Sequence, residues 1–144
     1  MTLRIRQAAA DDACALASLA TQLGYPSNAA QARQRLQRLP PGAAIVLVAE
    51  DEGAVVGWIH ACAHASLLLD ETAEIMGLIV DQQHRGVGIG QALLAAVESW
   101  AGSNGYLTLS VRTNIVRQRA HKFYYQNGFQ RMKTSLTLTK QLGR

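Results

Sequence analysis

The chain has 144 residues, 49% hydrophobic and 17% charged, with a formal net charge of +4. That is enough apolar sequence for a core and suggests one domain over residues 1–144, while no apolar run approaches a membrane span. Cys14 and Cys62 are too few for a disulfide scaffold, and the basic residues (Arg33, Arg35, Arg38, Arg117, Arg119, Lys133) are dispersed rather than massed as in a nucleic-acid binder.

In chain order, residues 3–7 alternate like a strand and lack the apolar core of a signal peptide. A cytoplasmic protein with reduced cysteines is therefore expected, with neither membrane nor nucleic acid as a partner. Asp11 stands where a helix cap is needed, before an apolar stripe of Leu16, Leu19, Ala20 and Leu23. Gly24-Tyr25-Pro26 breaks that helix. Ser27 is placed to cap a second helix carrying Ala29, Ala32, Leu36 and Leu39, which Pro40-Pro41-Gly42 stops. Residues 44–50 and 54–65 read as a hairpin around Asp51-Glu52-Gly53. Residues 72–80 form a mostly apolar strand in which Gly77 hints at a bulge or a close backbone approach.

The next segment, Val80-Asp81-Gln82-Gln83-His84-Arg85-Gly86-Val87-Gly88-Ile89-Gly90, carries glycines at alternate positions directly before an amphipathic helix. In that helix Ile89, Ala92, Leu93, Ala96, Val97, Trp100 and Ala101 recur at spacings of three and four, one continuous apolar stripe. Uncovered backbone N–H groups at a helix start suit a bulky anion, and Arg85 adds a permanent charge beside them. The spacing is neither a Walker loop nor a dinucleotide fingerprint. Beyond the helix come a strand over residues 106–112, a helix over 117–127 closed by Gly128, and one or two strands over 129–142. This order does not alternate regularly, so a mixed α/β sheet, mostly antiparallel at its start, is expected.

Arg85-x-x-Gly88-x-Gly90 after Val80 resembles the acetyl-CoA pyrophosphate loop of the GNAT superfamily of N-acyltransferases. Ala120-His121-Lys122-Phe123-Tyr124-Tyr125-Gln126-Asn127-Gly128-Phe129 resembles that family's later A-x-x-[LF]-Y-x-x-x-G-F block. The resemblance implies a single mixed sheet, splayed between two parallel strands, with about four helices. It implies acetyl-CoA as co-substrate, held at Arg85, Gly86, Val87, Gly88, Ile89 and Gly90. Leu78, Ile79 and Val80 would offer backbone to the pantetheine arm, with Gly77 marking the bulge. The family often has Pro where this chain has Gln82. It often places an Asn where Arg117 stands, so Asn114 and Arg117 share the secondary cofactor contact as candidates.

N-Acetyl transfer needs a proton acceptor for the amine, stabilisation of an oxyanion and a donor for the departing thiolate. Glu74 is the one carboxylate within an apolar strand, and Ala73-Glu74-Ile75 resembles a segment of some GNAT enzymes whose Glu is the general base. The alternative is a strand-edge Glu facing solvent. The resemblance makes Tyr124 the acid; the alternative is core packing beside Phe123. His84 and His121 are read as loop and helix-surface residues. His60 and His64 share a strand face without partners at ligand spacing, so no metal site is expected. The reading is direct transfer of an acetyl group to a primary amine, a small molecule or a protein, with a homodimer through the last strands as an option. Transfer of another acyl group, or a CoA-binding sensor without catalysis, stay open.

Overall fold

The computed structural model describes residues 2–143, which fall into two compact units that divide between Arg112 and Thr113. The first unit is built on one five-stranded sheet, β1 (Leu3–Gln7), β2 (Ala44–Asp51), β3 (Ala54–His64), β4 (Thr72–Val80) and β5 (Leu109–Val111), in that spatial order. Strands β1 to β4 are antiparallel neighbours, whereas β5 runs parallel to β4. The sheet is therefore mixed, as the element order predicts.

Helices α1 (Ala13–Leu23), α2 (Ala29–Arg38) and α3 (Ile89–Ser103) complete this unit. They take opposite faces because successive strand residues point to opposite sides. Trp58 on β3 reaches α1, its indole Nε1 donating to the Leu16 carbonyl at 3.2 Å. Its neighbour Gly57 faces the other way, where an added Cβ would meet Leu93 of α3 at 3.3 Å. Ile59, Ile89, Leu93, Leu94, Val48 and Val97 are the largest fully buried side chains and form the core of this unit.

Helix caps depart from the sequence reading. Asp12, not Asp11, closes the start of α1, after a short 3-10 turn over Ala10–Asp12. The reason lies in tertiary structure: Arg6 on β1 donates two hydrogen bonds to the Asp12 carboxylate, at 2.8 and 2.9 Å, and the Ala9 N–H donates a third at 2.7 Å. At α2, Asn28 rather than Ser27 is the cap, in a reciprocal capping box with Gln31. Leu39 lies just beyond the last turn of α2.

Two strand expectations are also corrected. Strand β5 spans three residues instead of seven, because Tyr106 is drawn to the end of α3: its N–H donates to the Ala101 carbonyl and its ring lies 5.8 Å from that of Trp100. In the second unit, α4 (Gln118–Gln126) is followed by no strand among residues 129–143. The alternating pattern there is real, but a strand needs an edge to pair with, and Leu136, Leu138 and Leu142 are exposed.

The Arg6–Asp12 pair ties β1 to α1, and its hydrogen bonds hold the Asp12 carboxyl below the usual carboxylate range. A depressed carboxylate pKa contributes stability in full above the unfolded-state value of about 3.9, lost as pH falls through the folded value. Asp12→Asn should cost about 2 kcal/mol at neutral pH and make little difference in strong acid. Thermal unfolding of both proteins across pH 2–7 measures this, and parallel curves at every pH would refute it.

Candidate functional site

Strand β4 carries an irregularity at its centre. Its residues 72–75 pair with β3 in one register, up to Ala61 opposite Ile75, and the register resumes with His60 opposite Gly77. Met76 is the extra residue, a β-bulge beside the glycine that signalled it. The bulge shifts the phase of alternation. Glu74, opposite Cys62, and Gly77, opposite His60, thereby share the sheet face that Trp58 presents to α1.

Why glycine stands here follows from Trp58. A Cβ at position 77 would lie 2.9 Å from one indole carbon and 3.0 Å from another. On its other edge β4 pairs with β5 only through Ala73, Glu74 and Ile75. From Met76 to Val80 that edge has no strand partner among the described residues. A run of backbone including Leu78, Ile79 and Val80 is thus left open on one side.

The glycine loop follows at once. Asp81 anchors it: its carboxylate accepts from Gln22 of α1 at 2.8 Å and from the Gln83 N–H at 3.3 Å, and lies 2.7 Å from His84 Nδ1. His84 is therefore engaged within the loop. These hydrogen bonds, Gln22 first and then His84, hold the Asp81 carboxyl below its ordinary range. Arg85 Nε donates to the Val80 carbonyl at 3.2 Å, which sets the guanidinium beside the end of the open edge. Gly86 and Gly88 have φ of +83° and +89°, a region that strains any residue with a Cβ. An added Cβ at either would meet nothing within 4 Å, so conformation and open space, not packing, require glycine. Gly88 is the cap of α3, with Ile89 and Gly90 in its first turn, where backbone N–H groups lack helical partners.

Glu74 is only 7% exposed, which removes the solvent-facing alternative. Arg112 donates from Nε to its Oε1 at 2.9 Å, and His64 Nδ1 lies 3.9 Å from Oε2. Arg112 escaped the sequence reading; only the parallel pairing of β5 with β4 brings it to Glu74. Burial, followed by the Glu74 charge, pushes the Cys62 thiol up, so it stays protonated and unreactive.

In the second unit, Tyr124 is buried between Phe123 and Phe129, with ring centroids 5.2 Å away in each case and both contacts edge-on. Burial pushes its phenol up to about 12, so it remains a donor throughout the physiological range. Asn114 and Arg117 open this unit's turn into α4. The Asn114 Oδ1 accepts from the Val116 N–H at 3.1 Å, and its carbonyl lies 2.9 Å from His121 Nε2. Arg117 is the cap residue of α4.

Comparison with known proteins agrees with this geometry. The model of the acetyltransferase (GNAT) family matches residues 11–129, a stretch that includes the bulged strand, the glycine loop and α4. The chain belongs to the GNAT family. This GNAT protein is 38% identical to the N-acetylaspartate synthetase of Rattus norvegicus over 96 residues, covering 67% of the chain and 31% of the rat protein. It is 29% identical to the uncharacterized N-acetyltransferase YhfO of Bacillus subtilis over 134 residues, covering 89% of the chain and 90% of that protein. The chain thus spans about a third of the synthetase and most of the bacterial relative. Its fold is that of the aminoglycoside 6'-N-acetyltransferase AAC(6')-Ih of Acinetobacter baumannii (TM-score 0.86, 16% identity, 99% of this chain and 100% of that one). It is also that of AAC(6')-Iy, solved with a CoA-linked bisubstrate analogue (TM-score 0.82, 21% identity, 99% and 100%).

The contact between Gly77 and Trp58 gives a direct test of the bulge. Gly77→Ala should push the indole off its place and weaken its bond to Leu16, costing about 1–3 kcal/mol. A melting temperature equal to that of the parent protein would show that the ring yields freely and that Gly77 is not required there.

Proposed function

We propose that this GNAT protein transfers an acetyl group from acetyl-CoA to a primary amine, directly and in a ternary complex. The observation that carries the reading is the open edge of β4 after the bulge, running into the glycine loop. A pantetheine arm presents amides in series, and a free strand edge offers N–H and C=O groups to match them. Gly86, Gly88 and the first turn of α3 suit a diphosphate, and Arg85 supplies a fixed positive charge at the same place. Leu78, Ile79 and Val80 would pair with the arm, while Val87, Ile89 and Gly90 complete the cradle.

Under this proposal Glu74 takes the proton from the attacking amine as the N–C bond forms. The bulged backbone beside Gly77 donates to the oxygen that gains charge, and the C–S bond then breaks. Tyr124 gives its proton to the thiolate and regains one from solvent or the substrate amine. The protonated Cys62 beside Glu74 offers no activated nucleophile, which supports transfer without an acyl-enzyme. Asn114 and Arg117 are proposed as secondary cofactor contacts in the second unit. The acceptor is left wide by the relatives, since their names point to amines as unlike as aspartate and an aminoglycoside.

Thiol release from acetyl-CoA over a panel of amines, beside calorimetric CoA binding, tests the assignment. CoA binding with no turnover on any amine would leave a sensor in place of an enzyme. Gly88→Val should strain the positive φ and weaken CoA binding at least tenfold, above about 1.4 kcal/mol, in a folded protein. Unaltered affinity would overturn the loop assignment.

Glu74→Gln should reduce turnover with CoA affinity nearly intact, and the deficit should shrink as pH rises and the amine deprotonates unaided. Equal rates at all pH values would leave Glu74 structural. Tyr124→Phe keeps the ring between Phe123 and Phe129 but removes the donor, so kcat should fall about tenfold or more. Normal turnover in a folded Phe variant would end the acid role.

A further inference from the structure

A cavity of about 370 Å³ opens between α1, α2 and strands β2 to β4, wholly within the first unit. Its wall is largely apolar, with Leu16, Leu36, Trp58 and Met76 among the contributors. It reaches Gly77, so it adjoins the bulge. Beside the hydroxyl residues Tyr25 and Ser27, two nitrogen-bearing side chains, those of His60 and Arg35, stand out in this lining. His60 projects there, and its Nε2 is buried without a hydrogen-bond partner. Burial lowers the pKa of this imidazole, so the ring is neutral at physiological pH and its Nε2 is a polar atom awaiting a partner. The other is Arg35, the one charged residue of the lining, exposed at the rim on α2 and without an ion pair among the described residues. Among the described residues no carboxylate lines the cavity.

The register connects this cavity to Glu74. His60 and Cys62 are successive same-face residues of β3, and Glu74 lies opposite Cys62. Cavity and carboxylate thus lie side by side on one face of the sheet. A guest seated beneath α2 can direct an amine toward Glu74 while its far end remains near Arg35.

Resting on the transferase reading above, we infer that this cavity is the acceptor site, and that it selects a small primary amine with an apolar body and one carboxylate. The apolar wall accepts the body, Arg35 pairs with the carboxylate, and His60 Nε2 supplies a polar contact inside. A cavity near the lower end of the usual 300–1,000 Å³ suits a guest of amino-acid size. A polycation is disfavoured twice, by the missing carboxylates and by the arginine it would have to face.

Calorimetry on the full chain with CoA present tests the selection without relying on turnover. The probes are 6-aminohexanoic acid, 8-aminooctanoic acid, their primary amides, and spermidine, the acids carrying amine and carboxylate at opposite ends of an apolar chain. The amino acids should bind at least about fivefold tighter than the amides, and spermidine more weakly than either. Arg35→Gln should remove most of the acid-over-amide preference and Arg35→Glu should reverse it, with melting temperatures confirming that both variants fold. Tighter binding of spermidine, no binding of the amino acids, or an unaltered acid-to-amide ratio in folded Arg35 variants would each overturn the inference. Thiol release separates this outcome from failure of the transferase reading. Acetylation of spermidine with no binding of amino acids removes the acceptor class alone. Amino-acid binding without acetylation of any amine removes the transferase and leaves the cavity as a ligand site.

Discussion

One extra residue in β4 governs the rest of the site. Side chains in a strand alternate, so positions three apart normally face opposite sides of the sheet. Met76 is inserted between two registers, and Glu74 and Gly77 therefore share a face. Thr72, Glu74, Gly77 and Ile79 lie opposite His64, Cys62, His60 and Trp58, while Ile75, Leu78 and Val80 face the α3 side. Without the bulge, the second half of β4 would turn its set of side chains to the other face, and Glu74 would lose its relation to the cavity beneath α1 and α2.

The same device limits the pairing of β4 with β5. A parallel ladder needs an evenly spaced partner, and the local twist added by a bulge carries the two strands apart. Pairing stops at Ile75 opposite Val111, one residue before the bulge. The open edge and the re-aimed face thus share one origin. Trp58 fixes the arrangement from the neighbouring strand: its ring occupies the space of the missing Cβ at Gly77, and its N–H is held by the Leu16 carbonyl. Helix α1 is thereby tied to the bulge through one indole.

What sequence made legible was the punctuation. Strand β4 has the bounds that its apolar run sets, Gly77 marked the irregularity, and the glycine loop announced the start of α3 at Ile89. These signals are local, because a positive φ or a missing Cβ is recorded at the position that needs it. What escaped was non-local. Asp11 read as the cap, whereas Arg6, a strand away, selects Asp12. Tyr106 read as strand until Trp100 and Ala101 claimed it. The alternating leucines after residue 134 carried a strand pattern with no edge to receive it. His60 was visible as a residue on the right face, but its unpartnered Nε2 belongs to a cavity that only packing creates.

The Glu74–Arg112 pair shows how such a non-local contact bears on chemistry. A carboxylate 7% exposed and unpaired would be costly, and Arg112 offsets that cost. Its own side chain, though, is 78% exposed. The guanidinium is therefore bathed in water, and its attraction for Glu74 is screened to a modest value. Such a partner stabilises the charge while the site is empty and is cheaply displaced or shared when another hydrogen-bond donor arrives. Pairing a buried carboxylate with an exposed cation reconciles a stable fold with a carboxylate still able to exchange its partner.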